Sequence, residues 1–207
     1  GAADLALPAE ELFDGRFTAG DQQTLRIVPL AAGGSYTASD RLGAGYAMIT
    51  WPLSGSLELI GGARVEHSEV EVSSLSSAGE PSLATPSFTD VLPSLAMNLR
   101  LSERASVRLS ATQTLSRPEY RELSPVLFRE VIGADNVKGN PNLTRALIQN
   151  YDLRWELYPS RGEILSLGVF AKRFERPIER IYQGTSGTRI ITYVNAKSAN
   201  NYGAEIE

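Results

Sequence analysis

The sequence contains no cysteine and only one histidine, His67, among its 207 residues. The absence of cysteine excludes disulfide bonds and thiolate metal sites, and the residues around His67 show no familiar metal-ligand spacing. The formal net charge of -4 provides no basic field for nucleic acid. We therefore expect no metal, no cofactor and no nucleic-acid partner.

Long apolar runs and catalytic patterns are also missing. No stretch of about 18 apolar residues occurs, so the sequence predicts no transmembrane helix. There is no glycine-rich phosphate loop and no Ser/His/Asp set, so we expect that the protein is not an enzyme. These absences do not exclude a membrane, because a membrane-spanning β-strand needs only about 10 alternating residues.

Apolar and polar side chains alternate along much of the sequence, which is typical of β-strands. The segment 151–158 has one apolar face and one face that is mostly charged. The apolar face carries Tyr151, Leu153, Trp155 and Leu157, and the other face carries Asp152, Arg154, Glu156 and Tyr158. The strands predicted in this way are 42–51, 56–68, 91–101, 105–116, 148–158, 163–174 and 201–207.

The connections between the predicted strands alternate strictly between short and long. Short connections follow Trp51, Leu101 and Pro159. The long connections cover residues 73–90, 117–147 and 175–200. Because consecutive antiparallel strands place alternate connections at opposite ends of a sheet, all the long loops lie at one end. This asymmetry is typical of outer-membrane barrels, which have short periplasmic turns and long extracellular loops.

We therefore predict an all-β fold: an antiparallel up-and-down transmembrane β-barrel segment, with about seven strands of a larger barrel and long extracellular loops. Residues 1–41 are expected to form an extracellular loop segment before the first strand, and residues 42–207 the partial barrel. Two β-rich runs around the sequence GTSG predict a loop hairpin at about 178–194. The chain ends within the strand-like run NYGAEIE, so we expect a piece of a longer protein.

Several short motifs, taken together in their order and spacing, resemble the barrel of TonB-dependent outer-membrane receptors. They are GGARVEHS, TQTLSRPEYRELSP (Thr112 to Pro125), GNPNL (Gly139 to Leu143), NYDLRWELYP and YVNAKSANNYGAEIE. The resemblance covers most of the chain from about Tyr36 onward. It implies a location in the bacterial outer membrane, contact with outer-membrane lipid, and a barrel of about 22 strands that encloses a plug domain.

The resemblance also implies a function, which is the active import of a scarce ligand such as a siderophore, cobalamin, haem or a glycan. Import would be driven by contact between the plug and the TonB complex. The chain contains no plug and about a third of the strands that such a barrel needs to close. We therefore expect that this segment does not transport a ligand by itself.

Three sets of candidate residues follow from a barrel of this kind. The polar wall of an extracellular vestibule, where ligand contacts are expected, is formed by Arg117, Glu119, Tyr120, Arg121 and Glu122. The lumen-facing candidates are Glu58, Arg64, Arg100, Arg108, Asp152, Arg154, Glu156 and Lys172. The lipid-facing candidates are Leu153, Trp155, Leu157, Leu165 and Leu167.

The first two sets also have an ordinary structural interpretation. The residues 117–122 would be a salt-bridged strand end and loop, and the inward charges would pair across strands. Two other functions stay open on the sequence alone. One is a soluble all-β binding module whose charged face meets water, and the other is a passive porin-type barrel.

Overall fold

The computed structural model describes residues 35–76, 79–129, 135–184 and 189–207. These residues form two β-sheets and one short helix. Among them no helix is long and apolar enough to cross a membrane. We call the larger sheet the wall. We call the smaller sheet, together with the helix, the cap.

The wall is an antiparallel sheet in which strands follow one another in chain order. Its strands are β1 (Tyr36–Pro52), β2 (Leu57–Leu75), β4 (Ser87–Ser102), β5 (Ala105–Ser116), β8 (Ala146–Leu157), β9 (Leu165–Glu175) and β12 (Ser198–Ile206). A short strand, β3 (Pro81–Ala84), pairs with the far end of β2. Within the described residues β1 and β12 do not pair with each other, so the wall is open, as a barrel fragment is. The predicted all-β, up-and-down fold is confirmed.

The strand bounds differ from the prediction mainly at the long-loop end. Strand β5 matches its predicted range, whereas β1 begins at Tyr36 rather than 42, and β2 runs on to Leu75 rather than ending at 68. The β1–β2 ladder continues up to the pair Tyr36 and Ser74. On β2 the apolar side chains change face there, because Val70 and Val72 lie on the polar side of the wall, whereas the backbone pairing continues. Residues 36–41 are therefore strand and not loop, and residues 1–34 of the predicted loop segment lie outside the described residues.

The other wall strands shift by smaller amounts. Strand β4 begins at Ser87 rather than 91, β8 begins at Ala146 rather than 148, and β12 begins at Ser198 rather than 201. Strand β9 runs from Leu165 to Glu175 instead of 163–174. The seven long strands themselves are present in the predicted order.

The two faces of the wall differ sharply, as two directly paired rows show. The apolar row crosses all the wall strands through Trp51, Leu59, Met97, Leu109, Leu153, Val169 and Ala204. The neighbouring row on the opposite face contains Pro52, Glu58, Asn98, Arg108, Arg154, Gly168 and Glu205. Large apolar side chains on the first face stay exposed: Trp51 is 62% exposed and Leu109 44%. A contiguous exposed apolar face of this kind marks an interaction with a membrane or a partner.

The apolar face ends at a defined row on the side of the long loops. On that side, β5, β8, β9 and β12 are crossed by a directly paired polar row of Gln113, Gln149, Arg173 and Asn200. On β4 the apolar alternation runs from Val91 to Leu101. This length agrees with the roughly 9–11 tilted residues that cross the hydrocarbon core of a bilayer. Beyond this row the strands continue with a mixture of polar and apolar residues, among them the paired Leu115 and Leu147.

The cap is built from two of the long connections. Its sheet has the order β10 (Ile178–Gln183), β11 (Ile190–Asn195), β7 (Asn136–Lys138), β6 (Leu127–Arg129). The helix α1 (Tyr120–Leu123) precedes β6. Strands β10 and β11 form the hairpin predicted at 178–194, but β11 also pairs in parallel with β7 from the other connection. The hairpin is therefore one half of a sheet that two loops share.

The buried apolar core lies at the long-loop end, between the cap and the polar face of the wall. Leu123, Val137 and Tyr193 of the cap, together with Leu143 of the connection before β8, cluster with Val72 of β2. Ala38 and Val70, from the same end of the wall, pack against this cluster. The cap is thus seated on the wall by apolar burial, while the short turns lie at the opposite end.

Candidate ligand-contact site

The predicted ligand-contact residues lie in one short segment at the long-loop end, directly after β5. The segment contains α1, in which the backbone N–H of Glu119 donates to Glu122 Oε2 at 2.9 Å. This bond closes half of a capping box and fixes the first turn. The guanidinium of Arg121 lies over the ring of Phe128, 4.7 Å from its centroid. Glu119, Tyr120 and Arg121 are all exposed.

Tyr120 connects this segment to the first strand of the wall. Its hydroxyl donates a hydrogen bond to Asp40 Oδ2 over 3.1 Å. The same contact raises the pKa of the Tyr120 hydroxyl, because the hydrogen bond and the negative charge of Asp40 both favour the neutral phenol. The bond is therefore present below the ordinary tyrosine pKa of about 10 and is lost as the pH rises above the raised value.

Arg117 and Glu122 are engaged in supporting contacts instead of projecting freely. Nη2 of Arg117 donates to Glu66 Oε2 at 2.5 Å, and the Glu66 side chain is 11% exposed. Glu122 accepts the Glu119 N–H of the capping box. The structure thus divides the five candidates into three exposed side chains and two that hold the segment in place.

Glu119 lies between two concave surfaces. One is also lined by Tyr36, Asp40 and Tyr120, and the other by Ile148 and Phe174 of the wall. Both are open, and each combines carboxylates or hydroxyls with apolar side chains. Such a mixture of apolar surface and a few polar groups is typical of small-molecule sites.

The predicted lumen-facing residues share the polar face of the wall. Near the short-turn end they form a network around Glu156, which is 4% exposed. Its carboxylate pairs with Arg108 at 3.3 Å and with Arg154 at 3.1 Å, and Arg154 also pairs with Glu207 at 2.6 Å. Arg108 and Glu156 therefore pair across neighbouring strands, whereas Arg154 and Glu156 pair along one strand.

The remaining polar-face candidates are outside that network. Arg64 belongs to the Glu66 cluster, at 2.6 Å from Glu66 Oε1. Asp152 accepts from Ser110 Oγ at 3.3 Å, and Glu58 accepts from Asn98 Nδ2 at 3.0 Å. Arg100 and Lys172 lie on the same face of β4 and β9. The predicted lipid-facing residues, including Leu153 and Leu167, all lie on the opposite, apolar face.

The motif GNPNL has a structural role that the sequence pattern did not reveal. The Asn140 amide donates to the Tyr193 carbonyl at 2.9 Å, and the Asn140 N–H donates to the Glu122 carbonyl at 2.6 Å. Asn195 accepts from the Thr144 N–H at 2.8 Å and donates to the Thr144 and Arg176 carbonyls at 2.9 Å. These side chains join the two long connections. In the sequence, the Asn and Gly residues of this motif indicate only a turn.

No group of three or more His, Asp or Glu side chains that could hold a metal ion occurs within the part of the chain that the structure describes. His67 lies on the apolar side of β2, where Nδ1 is 2.9 Å from Thr89 Oγ1 and Nε2 is 3.4 Å from Glu69 Oε1. Glu66 lies on the opposite face, as the alternation of a strand requires.

An open antiparallel wall with a bilayer-sized apolar belt, short turns at one end and a folded cap at the other is a segment of an outer-membrane β-barrel. The family model described as "TonB dependent receptor-like, beta-barrel" matches residues 5–207. The comparison with curated proteins gives no match.

Solved structures of outer-membrane receptors share the fold of this chain. The hemophore receptor HasR of Serratia marcescens, in complex with its hemophore HasA and heme, superposes with a TM-score of 0.68 at 13% identity, over 86% of this chain and 32% of HasR. The ferric-catecholate import receptor Fiu of E. coli K12 gives 0.58 at 16% identity, over 83% and 25%. The ferric yersiniabactin uptake receptor FyuA of Yersinia pestis gives 0.56 at 19% identity, over 83% and 24%.

The chain belongs to the TonB-dependent receptor β-barrel family, whose members are transport receptors of the bacterial outer membrane. It spans 24–32% of the length of the three receptors compared above. The family resemblance seen in the sequence is confirmed.

Proposed function

We propose that this chain is a wall and cap segment of a receptor that binds a scarce ligand and imports it with energy from the TonB complex. The ligand class is a siderophore, cobalamin, haem or a glycan. The observation that carries the proposal is family membership over residues 5–207. The wall, with one apolar face and one charged face, supports it. A plug domain elsewhere in the receptor would contact TonB, and the segment itself has no enzymatic role.

In this proposal the apolar face, with Leu153, Leu165 and Leu167, contacts outer-membrane lipid, and the polar face lines the lumen. The long-loop end is then extracellular. These three aliphatic side chains are 42–46% exposed, and contact with lipid in place of water stabilises them. The charges on the other face stay hydrated or paired inside the barrel.

We propose that Glu119, Tyr120 and Arg121 contact the ligand at the outer mouth of the lumen. They are exposed and adjacent, and all three line one concave surface of the long-loop end, while Glu119 also lines the second. Arg117 and Glu122 support them, since their polar groups are already paired with Glu66 and with the backbone of Glu119. The segment supplies one aromatic hydroxyl, one cation and one carboxylate to a ligand.

Binding and uptake by the full-length receptor test this proposal. One labelled member each of the ferric siderophores, haem, cobalamin and the oligosaccharides would be supplied to cells with an intact or a collapsed proton gradient. We expect uptake of one class, which stops when the gradient collapses. Uptake that continues without the gradient would instead show a passive porin.

The ligand contacts are tested by Tyr120→Ala, which should weaken binding of the imported ligand by about tenfold or more, as loss of one good contact does. Tyr182→Ala is the matched control, because Tyr182 is 68% exposed on β10, away from the concave surfaces. Equal effects of the two substitutions would remove residues 119–121 from the site.

A further inference from the structure

Two buried carboxylates face each other on neighbouring strands of the wall. Glu66 on β2 and Asp90 on β4 are direct cross-strand partners on the polar face. Glu66 is 8% exposed and Asp90 is 3% exposed. Like charges directly opposite each other destabilise a sheet, and a buried charge without a partner is costly. This pair of positions therefore needs cations from elsewhere.

Two of those cations come from the two ends of one long connection. Arg117 is the first residue after β5, and Arg145 is the last residue before β8. Arg117 pairs with Glu66 at 2.5 Å, and Nε of Arg145 donates to Asp90 Oδ1. The Arg145 guanidinium also lies 5.0 Å from the centroid of the Phe88 ring. Arg64 of β2 adds a third cation, 2.6 Å from Glu66.

The segment between these two arginines carries the candidate ligand contacts and half of the cap. It includes Glu119, Tyr120 and Arg121, the helix α1, and strands β6 and β7. The wall does not need the two carboxylates for its own register, because the apolar and polar alternation of its strands sets that register. Buried ion pairs also stabilise a fold less than apolar residues of similar volume would. Their effect is to specify where the cap segment begins and ends.

We propose that Glu66 and Asp90 act together as a two-carboxylate catch, which holds both ends of the 117–145 segment on the wall and so positions residues 119–121 for the ligand. Glu66 and Asp90 are positioning residues and do not touch the ligand. If either arginine is released, the two buried carboxylates still face each other, with one positive charge fewer beside them. The two ends of the segment are therefore coupled through the carboxylates, and the cap holds or opens as one unit. Only the expected effect of the catch on ligand binding rests on the proposed function.

Hydrogen exchange of the full-length receptor in detergent tests the catch without any ligand. Arg145→Gln should raise amide exchange in α1 and β7 by about tenfold or more, and leave exchange in β5 and β9 unchanged. Arg145→Lys keeps the positive charge and should retain most of the protection. Asp152→Asn is the control on the same face of the wall, where Asp152 accepts only from Ser110 at 3.3 Å in the described residues. It should leave the cap unchanged.

The decisive measurement is amide exchange in a variant that carries substitutions at both ion pairs. Glu66→Gln and Arg145→Gln each release one end of the segment, so if the cap opens as one unit, the double variant should exchange little faster than either single variant. If the two substitutions multiply their effects, or if Arg145→Lys opens the cap as much as Arg145→Gln, the catch is wrong. If wall exchange rises equally, the ion pairs hold the wall and not the cap.

Ligand binding then separates this inference from the proposed function. Arg145→Gln should weaken binding severalfold while the thermal unfolding midpoint of the barrel stays the same. If the cap opens as expected but Tyr120→Ala leaves affinity unchanged, the catch stands and the contact site fails. An Arg145→Gln receptor with an opened cap and full affinity would overturn the positioning role.

Discussion

Adjacent residues in the wall have opposite environments, and strand geometry alone causes this. Asp152 and Leu153 are neighbours in β8, but Asp152 pairs with Ser110 and Phe170 on the polar face, whereas Leu153 pairs with Leu109 and Val169 on the apolar face. Leu153 is 42% exposed although every cross-strand neighbour is apolar. Replacing water by lipid over this face is therefore favourable.

We predict that Leu153→Arg destabilises the membrane-inserted receptor by about 2–4 kcal/mol if this row lies near the bilayer midplane. The physical reason is the cost of placing a guanidinium in hydrocarbon. Asp152→Arg is the matched control, one residue away on the polar face, and should change stability much less. The measurement is reversible unfolding from lipid vesicles, and equal costs at both positions would contradict the assignment of faces.

The cap shows how elements that are too short to be stable alone become a folded unit. Strands β6 and β7 have three residues each and α1 has four. Isolated elements of this length are unstable in water. They are held by pairing of β7 with β11, by the Asn140 and Asn195 side chains, and by burial of Leu123 and Val137.

Gly139 is the tightest point of the cap. A Cβ atom there would overlap the Ser124 carbonyl oxygen and lie 2.6 Å from the Arg121 oxygen. We predict that Gly139→Ala displaces α1 from β7 and raises amide exchange throughout the cap, at a local cost of about 1–3 kcal/mol or more. Gly55→Ala, in a short turn with open space around its Cβ, should leave exchange unchanged. An unperturbed cap in the Gly139→Ala variant would show that the close packing is not required.

Among the described residues, an exposed apolar face is combined with outer edges of β1 and β12 that pair with no further strand. Tyr202 and Ile206 of β12 are each 80% exposed. In water such a sheet lowers its free energy by self-association, through both the apolar face and the strand edges. Lipid, detergent and the remaining strands of a receptor remove these two surfaces from water.

We predict that the 207-residue chain, expressed alone, associates in plain buffer and requires detergent to remain dispersed. Size-exclusion chromatography with light scattering, in buffer and in detergent, is the measurement. A soluble β-protein of similar size, treated in parallel, controls for handling. A monomer in plain buffer with a sharp thermal transition would favour the soluble binding module that the sequence left open.

The wall was predictable from the sequence because its signal is local. Alternation with a period of two identifies strands such as β5, and the order of short and long connections indicates their antiparallel arrangement. The strand ends at the long-loop side were less predictable. Residues such as Thr37 and Ser39 carry no alternation, and the strand continues there because β2 provides a paired backbone.

The candidate site was predictable as a segment but not as a set of roles. The cluster of charges at 117–122 indicated a site, yet nothing in it showed that Arg117 pairs with Glu66 while Tyr120 reaches Asp40. The roles of Asp90 and Arg145 carried no signal at all. Each is a single charged residue next to a strand or at its start, which is common on any surface.

The sequence by itself determined the two-faced wall, the sorting of its connections and the family, because these depend on patterns within strands and between neighbouring strands. The tertiary structure alone decided which arginine meets which carboxylate, and that two loops about fifty residues apart share one sheet. Such contacts depend on the free energy of bringing distant segments together. Whether a buried charge finds its partner is settled only when the whole chain has folded around it.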